Sequence, residues 1–142
     1  MKRIISITFV IIILATAYTA EAQQSSAQVM IANIPFAFTA NNKTLPAGKY
    51  AVTVLNSSSD RKALQIRSMN GRFSAMILTN AVIGHVSDNA KLVFERYDDR
   101  YFFAQAQLPG DSTTLAALRS NKEHKHAVAT AKKKSVVVIL AE

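Results

Sequence analysis

From residue 28 to about 107 the chain repeats one arrangement, short runs of alternating apolar and polar side chains parted by turn residues. Period two marks a half-buried strand, because successive side chains point to opposite faces. The first run covers Val29 to Thr39, with Met30, Ala32, Ile34, Phe36 and Phe38 on one face and Asn33 and Pro35 on the other. Pro35 has no N–H to donate, so the strand is expected at an edge or with a bulge there. Leu45-Pro46-Ala47-Gly48 reads as a turn, Lys49 to Asn56 as the next strand, and Asn56 to Asp60 as a polar loop. Ala63 to Met69 and Arg72 to Asn80 read as a hairpin around Asn70-Gly71, both of which tolerate positive φ. In the returning arm Phe73, Ala75 and Ile77 oppose Met76 and Leu78, which predicts cover on both sides. Residues 81–90 lose the alternation and read as a loop.

Lys91 to Tyr97 and Tyr101 to Gln107 form a second hairpin around Asp98-Asp99-Arg100. Leu92 and Phe94 are expected on the inner face of one arm, Phe102, Ala104 and Ala106 on that of the other. Tyr97 and Tyr101 are expected to pair across the turn. Residues 112–131 hold no Gly or Pro and are rich in Ala, Leu, Lys and Glu, so a helix is expected, capped by Asp111 or Ser112. The β-branched run from Lys134, ending near residue 141, is expected to be paired, since an unpaired run of this kind invites aggregation, and a place beside the first strand is open to it. The predicted fold is all-β, six or seven antiparallel strands in a sandwich or small open barrel, with one helix before a last strand.

The N-terminus changes the setting. Lys2 and Arg3 precede an apolar run from Ile4 to Ala15, and Ala20-Glu21-Ala22 offers small side chains on both sides of Glu21. A charged start, an apolar stretch and a small-x-small site make a secretory leader. Cleavage is expected after Ala22, leaving residues 23–27 as a disordered N-terminus and 28–142 as a single β-rich domain. No cluster of Lys or Arg follows the apolar run, so no membrane span is expected after cleavage. The chain has no cysteine, which excludes disulfides and a lipid anchor on a thiol.

Charge narrows the partners. Of 17 basic and 9 acidic side chains the leader takes Lys2, Arg3 and Glu21, so the exported chain carries net +7. Export removes nucleic acid from reach. The densest basic block, Lys122, Lys125, Lys132, Lys133 and Lys134, reads as a solvated face, or as a weak attraction to an anionic surface.

Asn33-Ile34-Pro35-Phe36-Ala37-Phe38 followed by Leu45-Pro46-Ala47-Gly48-Lys49-Tyr50 resembles the opening of a family of small uncharacterised secreted proteins of soil bacteria. Leu92 to Tyr97, Tyr101-Phe102-Phe103 and Leu108-Pro109-Gly110 resemble it in the same order, so the likeness covers residues 28–110. Asn41-Asn42-Lys43, where a Gly is usual, and Leu115-Ala116, where Leu-Pro is usual, depart from it. The resemblance implies export and a β domain, and no chemistry.

Candidate chemistry is sparse. His124 and His126 beside Glu123 have a chelating spacing on a strand, but in a helix two positions apart fall on nearly opposite sides. Asp98 and Asp99, with Glu95 near, are the clustered carboxylates, and adjacent acids in a turn ordinarily bond the backbone. His85 lies in the 81–90 loop with no nucleophile motif around it. The mature chain holds Gly48, Gly71, Gly84 and Gly110, which excludes glycine-rich phosphate loops. No catalytic residue, metal or cofactor is expected. The expected binding surface is a strip of Tyr97, Tyr101, Phe103 and Gln105 on an outer sheet face, suited to an envelope protein or polysaccharide. The expected role is a non-enzymatic exported module, structural or binding. The alternatives are a barrel carrying an apolar ligand and an enzyme built on Glu95, Arg96, Tyr97 and Tyr101.

Overall fold

The computed structural model describes residues 27–55, 61–129 and 134–142. The expected leader and most of the expected disordered N-terminus lie outside the described residues, as do the expected Asn56 to Asp60 loop and residues 130–133. Ten strands follow in order: β1 (Val29–Ile34), β2 (Phe38–Ala40), β3 (Lys43–Leu45), β4 (Gly48–Leu55), β5 (Arg61–Ser68), β6 (Ser74–Ile83), β7 (Ala90–Tyr97), β8 (Arg100–Gln107), β9 (Thr113–Ala117) and β10 (Lys134–Ala141). One helix, α1 (Asn121–Ala129), precedes β10. Among the described residues no helix is long and apolar enough to cross a membrane.

The strands make one sheet in the order β1-β4-β5-β6-β9-β8-β2-β3, with β7 on β8 and β10 on β7. All pairings are antiparallel except that of β2 with β8. The sheet is not closed. Its nearest approach to closure is at Ile31 and Glu142, which exchange two backbone hydrogen bonds of 2.7 and 2.9 Å.

The all-β class with a helix ahead of a final strand is what the alternation implies; the strand count rises to ten for local reasons. The single run expected over Val29 to Thr39 breaks at Pro35 into β1 and β2, which have different partners. Asn41 and Asn42, both left-handed with φ of 44° and 65°, then turn the chain back as β3 in the positions where a type I′ turn favours Asn or Gly. Asn70-Gly71 does sit in a hairpin loop, but the loop runs from Met69 to Phe73 and is held by Ser68. The Ser68 hydroxyl donates to Asn70 Oδ1 and accepts from the Phe73 N–H.

The expected helix over 112–131 is replaced in its first part by a strand. Thr113 to Ala117 lies in the cleft between β6 and β8 and pairs with both, so two open edges outweigh the helical preference of Leu115-Ala116-Ala117. Asp111 accepts from the Thr113 N–H as a turn residue rather than a helix cap. β6 likewise runs on to Ile83 because β9 is there to pair with it. Before residue 79 the same edge of β6 is capped by side chains: Asn41 donates to the Met76 carbonyl and Lys43 to that of Ser74, each at 2.9 Å.

The core collects the inward side chains of β1 to β9, with Phe38, Tyr50 and Phe94 among the largest fully buried. Phe38 meets both Tyr50 and Phe94 edge-on at 5.3 Å, and Phe94 meets Phe103 at 5.7 Å. The Tyr50 hydroxyl is satisfied by the Pro46 carbonyl at 2.6 Å, so the ring is buried without an orphaned polar group.

A bulge decides which aromatic enters. Val93 pairs with Gln105 but Phe94 with Phe103, leaving Ala104 as an extra residue in β8. The alternation therefore flips, and Phe103 with Ala106 joins the core where Phe102, Ala104 and Ala106 were expected. Phe102 is turned to the other face. Phe103→Ala is expected to cost about 3–5 kcal/mol, whereas Gln105→Ala should cost less than about 0.5 kcal/mol. Urea unfolding of residues 23–142 measures both, and comparable losses would contradict this register.

Candidate functional site

Among the described residues, a cluster of ionisable side chains gathers at the face of β7 opposite the core. Phe94 points inward, so by alternation Glu95 and Tyr97 point to the opposite face. The ring of Tyr97 packs edge-on against Phe102 at 5.7 Å, and both are buried although neither joins the core cluster. The bulge at Ala104 is what brings Phe102 to this face.

Three chain segments converge on Glu95. The Tyr97 hydroxyl donates to its Oε2 at 2.6 Å. Lys134 Nζ, at the start of β10, lies 2.7 Å from Oε1. Arg119, just ahead of α1, lies 3.7 Å from Oε2 and also 3.7 Å from Oε1 of Glu123 in the helix's first turn. Helix α1 is set there by its own start: the Ser120 hydroxyl accepts from the Glu123 N–H at 3.2 Å. Lys122 also ties it to the β2–β3 turn, donating its N–H and its ammonium to Asn42.

The environment moves these groups in different directions. Burial works to raise the Glu95 carboxyl, but the hydrogen bonds from Lys134 and Tyr97 and the charges of Lys134 and Arg119 outweigh it, so Glu95 is held below its ordinary value. Burial, then the hydrogen bond to Glu95 and its charge, push the Tyr97 hydroxyl up to about 12. Glu123 is raised, first by burial and then by the charge of Glu95, with Arg119 opposing. Both oxygens of Glu95 are engaged by protein donors, which makes the group a clamp joining β7, α1 and β10. A reacting group would need an oxygen free to reach a substrate.

The four residues expected to form a binding strip are separated. Tyr97 and Phe103 are buried on opposite faces of the sheet. Tyr101 is half-buried, stacked on Phe36 at 3.9 Å with Arg96 5.5 Å from its ring centre. Gln105 is exposed on the outer side by the bulge. The Tyr97–Tyr101 pairing does not form, because the turn has two residues rather than three. Tyr97 stands opposite Arg100 and Arg96 opposite Tyr101, which puts the two tyrosines on different faces. Asp98 takes the left-handed turn position at φ 52°, and Arg96 donates to its carbonyl and pairs with Asp99. Beside this turn lies an open depression of about 750 Å³ lined by Arg96, Asp98, Asp99, Lys134 and Ser135.

His124 is exposed on α1, and His126 follows two positions along the same helix, about 200° around its axis. The carbonyl of His85 accepts from Gln107 at 2.6 Å. Among the described residues no three His, Asp or Glu stand together as a metal site. Arg119 and Lys134 were not singled out in the sequence for this cluster. The spacing Ser120-x-x-Glu123 was the available signal, since a Ser three residues ahead of a Glu marks a helix start.

A second feature is apolar. The outer face of β6 was expected to be covered, yet Met76 is 53% and Leu78 61% exposed. Leu118, whose N–H bonds the Leu78 carbonyl, is exposed beside them, and Val82 continues the row. Comparison with protein-family models, curated proteins and solved structures finds no match to this chain.

Glu95 titrates lower folded than unfolded, so its stabilising contribution is complete above the ordinary value of 4.5 and is lost as pH falls through the folded value. Glu123, shifted upward, has the opposite sign: its contribution is present below 4.5 and is lost as pH rises through its folded value. Glu95→Gln is expected to lower stability at pH 7 by roughly 2 kcal/mol. The gap to the wild type should narrow as pH falls below about 4.5. Unfolding curves at pH 7 and pH 3 measure it, and a gap independent of pH would mean that the charge of Glu95 does not matter.

Proposed function

We propose that this chain is exported by its leader, cut after Ala22, and works outside the cytoplasm as a non-catalytic binding module. Its contact surface is the outer face of β6. The observation that carries this reading is the bare row of Met76, Leu78 and Leu118 on a sheet whose inner face is already filled. Uncovered apolar rows of this kind mark contact sites, and flexible Met side chains suit a protein partner more than a sugar.

Two further features support a surface role. The aromatic contacts at the centre of the core leave an apolar ligand little room there, which weighs against a carrier. The polar cluster around Glu95 is engaged within the fold, which weighs against an enzyme. The partner that fits is an envelope protein with an apolar face. The net charge of +7 adds a salt-sensitive attraction to anionic surfaces.

Full-length chain expressed in a bacterial host should be recovered outside the cytoplasm with Gln23 as its first residue, as read by intact mass. A photo-cross-linker at position 78 should capture an envelope protein, and one at the exposed position 105 should not. Leu78→Ser should weaken capture roughly tenfold. Leader-bearing chain in the cytosol would overturn export; equal capture from both positions would overturn the choice of surface. Capture abolished by about 0.5 M salt would assign the contact to charge instead.

A further inference from the structure

Among the described residues, β10 has one satisfied edge and one that is open over its first part. All eight of its residues, Lys134 to Ala141, pair with β7. On the other edge β1 comes alongside the last residues of the strand, and Ile31 bonds Glu142 just past its end. Alternation along a strand fixes where the remaining groups point. Since the N–H and C=O of Glu142 face outward to Ile31, those of Leu140, Val138, Val136 and Lys134 face the same open side.

Nothing in the strand protects that edge. Ser135 to Ala141 contains no charge, Pro or Gly, the devices that ordinarily stop edge strands from pairing. The side chains next to the open groups are also bare: Val136 is 58%, Val138 50% and Leu140 63% exposed. Lys134 is the one charge in the strand, and the Glu95 carboxylate at 2.7 Å neutralises it within the same chain. The strand itself therefore brings no unpaired charge to the contact.

We infer that β10 is a self-association edge, which pairs antiparallel with β10 of a second copy about a two-fold axis at Val136. β1 lies beside the last residues of the strand and limits the pairing to residues 134–138. With the axis at Val136, Lys134 stands opposite Val138 of the second copy and Val136 opposite its own copy. All three are outward-facing residues, so their backbone groups meet as hydrogen-bonded pairs. The strand is its own complement, as an isologous contact requires. It supplies an apolar row on the same face, where β-branched residues pair well across strands. Edge pairing alone buries less than a standard interface, so the association is weak and is sought at high concentration. It does not depend on the export reading or on the β6 surface.

The test is sedimentation velocity of residues 23–142 from about 10 μM to 1 mM, a range suited to weak contacts. The wild type should shift from one copy to two. Val138→Lys places a charge opposite Lys134 of the second copy and should weaken the dimer at least about 100-fold. Val138 is half exposed, so this variant should keep its circular dichroism and melting temperature. Leu78→Lys, on β6, should dimerise like the wild type. Amide exchange adds a backbone readout: the N–H groups of Val136 and Val138 should become protected as concentration rises. A wild type that stays single across the range overturns the inference. So does a dimer that survives Val138→Lys, or one that forms without protecting those two amides.

Discussion

A strand offers hydrogen bonds along two edges only, and β8 must serve three neighbours with them. Along one edge it pairs with β7 throughout. Along the other it divides, giving Tyr101 and Phe102 to β2 and Gln105 to Gln107 to β9. The extra residue at Ala104 falls between those two halves, where the partner changes. One inserted residue also exchanges the faces of everything before it. Phe103 thereby reaches Phe94 in the core, and Phe102 is left outside with Tyr97. The small apolar nest made by those two rings is the floor on which Glu95, Arg119, Glu123 and Lys134 assemble. Without the bulge, Phe102 would face the core and the cluster would have no buried floor.

That floor works against charge, and the carboxylates are tolerated on it because they are paired with Arg119 and Lys134, whose side chains reach solvent. A covered carboxylate in such a pair returns little net stability, because desolvation offsets the attraction, but removing its partner leaves an uncompensated charge. Such a group selects an arrangement more than it strengthens one. Here the selected arrangement is specific, because Glu95 receives a phenol from its own strand, an ammonium from β10 and a guanidinium from the approach to α1. A helix with exposed Lys122, His124 and Lys125 has little apolar face with which to dock. Its position is set instead by Ser120 at its start, by Lys122 on Asn42, and by Arg119 between two carboxylates. Tyr97 stays protonated and Glu95 ionised across the neutral range, so the clamp does not switch there.

What could be read from the chain was whatever depends on alternation alone. β1, β4 and the core arm of β6 bury the side chains that the pattern assigns: Met30, Ala32 and Ile34; Tyr50, Val52 and Val54; Ala75 and Ile77. Three other features depended on a partner remote in sequence. Residues 113–117 look helical until the edges of β6 and β8 stand beside them. The bulge leaves no mark, because Phe102 and Phe103 are equally apolar and the register decides which one turns inward. The Glu95 cluster draws on positions 95, 97, 119, 123 and 134, brought together by pairings that span the domain. One local signal was present and informative: Ser120-x-x-Glu123 places the helix start after the strand rather than before it. The exposed strip expected from Tyr97, Tyr101, Phe103 and Gln105 failed for one reason, since a single inserted residue redistributes those four between two faces.

The two bare apolar surfaces differ in kind, and the difference bears on what the fold is for. On β6, edge groups are consumed, by β5 and β9 and by the side chains of Asn41 and Lys43. What its outer face presents is side chains, and a face of side chains discriminates by shape. On β10 the backbone itself is open, and a backbone edge accepts any strand that fits its spacing. A selective face can remain uncovered in a dilute compartment. An unprotected edge next to Val136 and Val138 is a hazard unless a defined strand occupies it, and the strand present at the highest local concentration during synthesis is another copy of itself. The absence of a Lys, Pro or bulge along residues 135–141 is then the sequence counterpart of that occupation. Edge-protecting residues would be expected there only if the edge had to stay single.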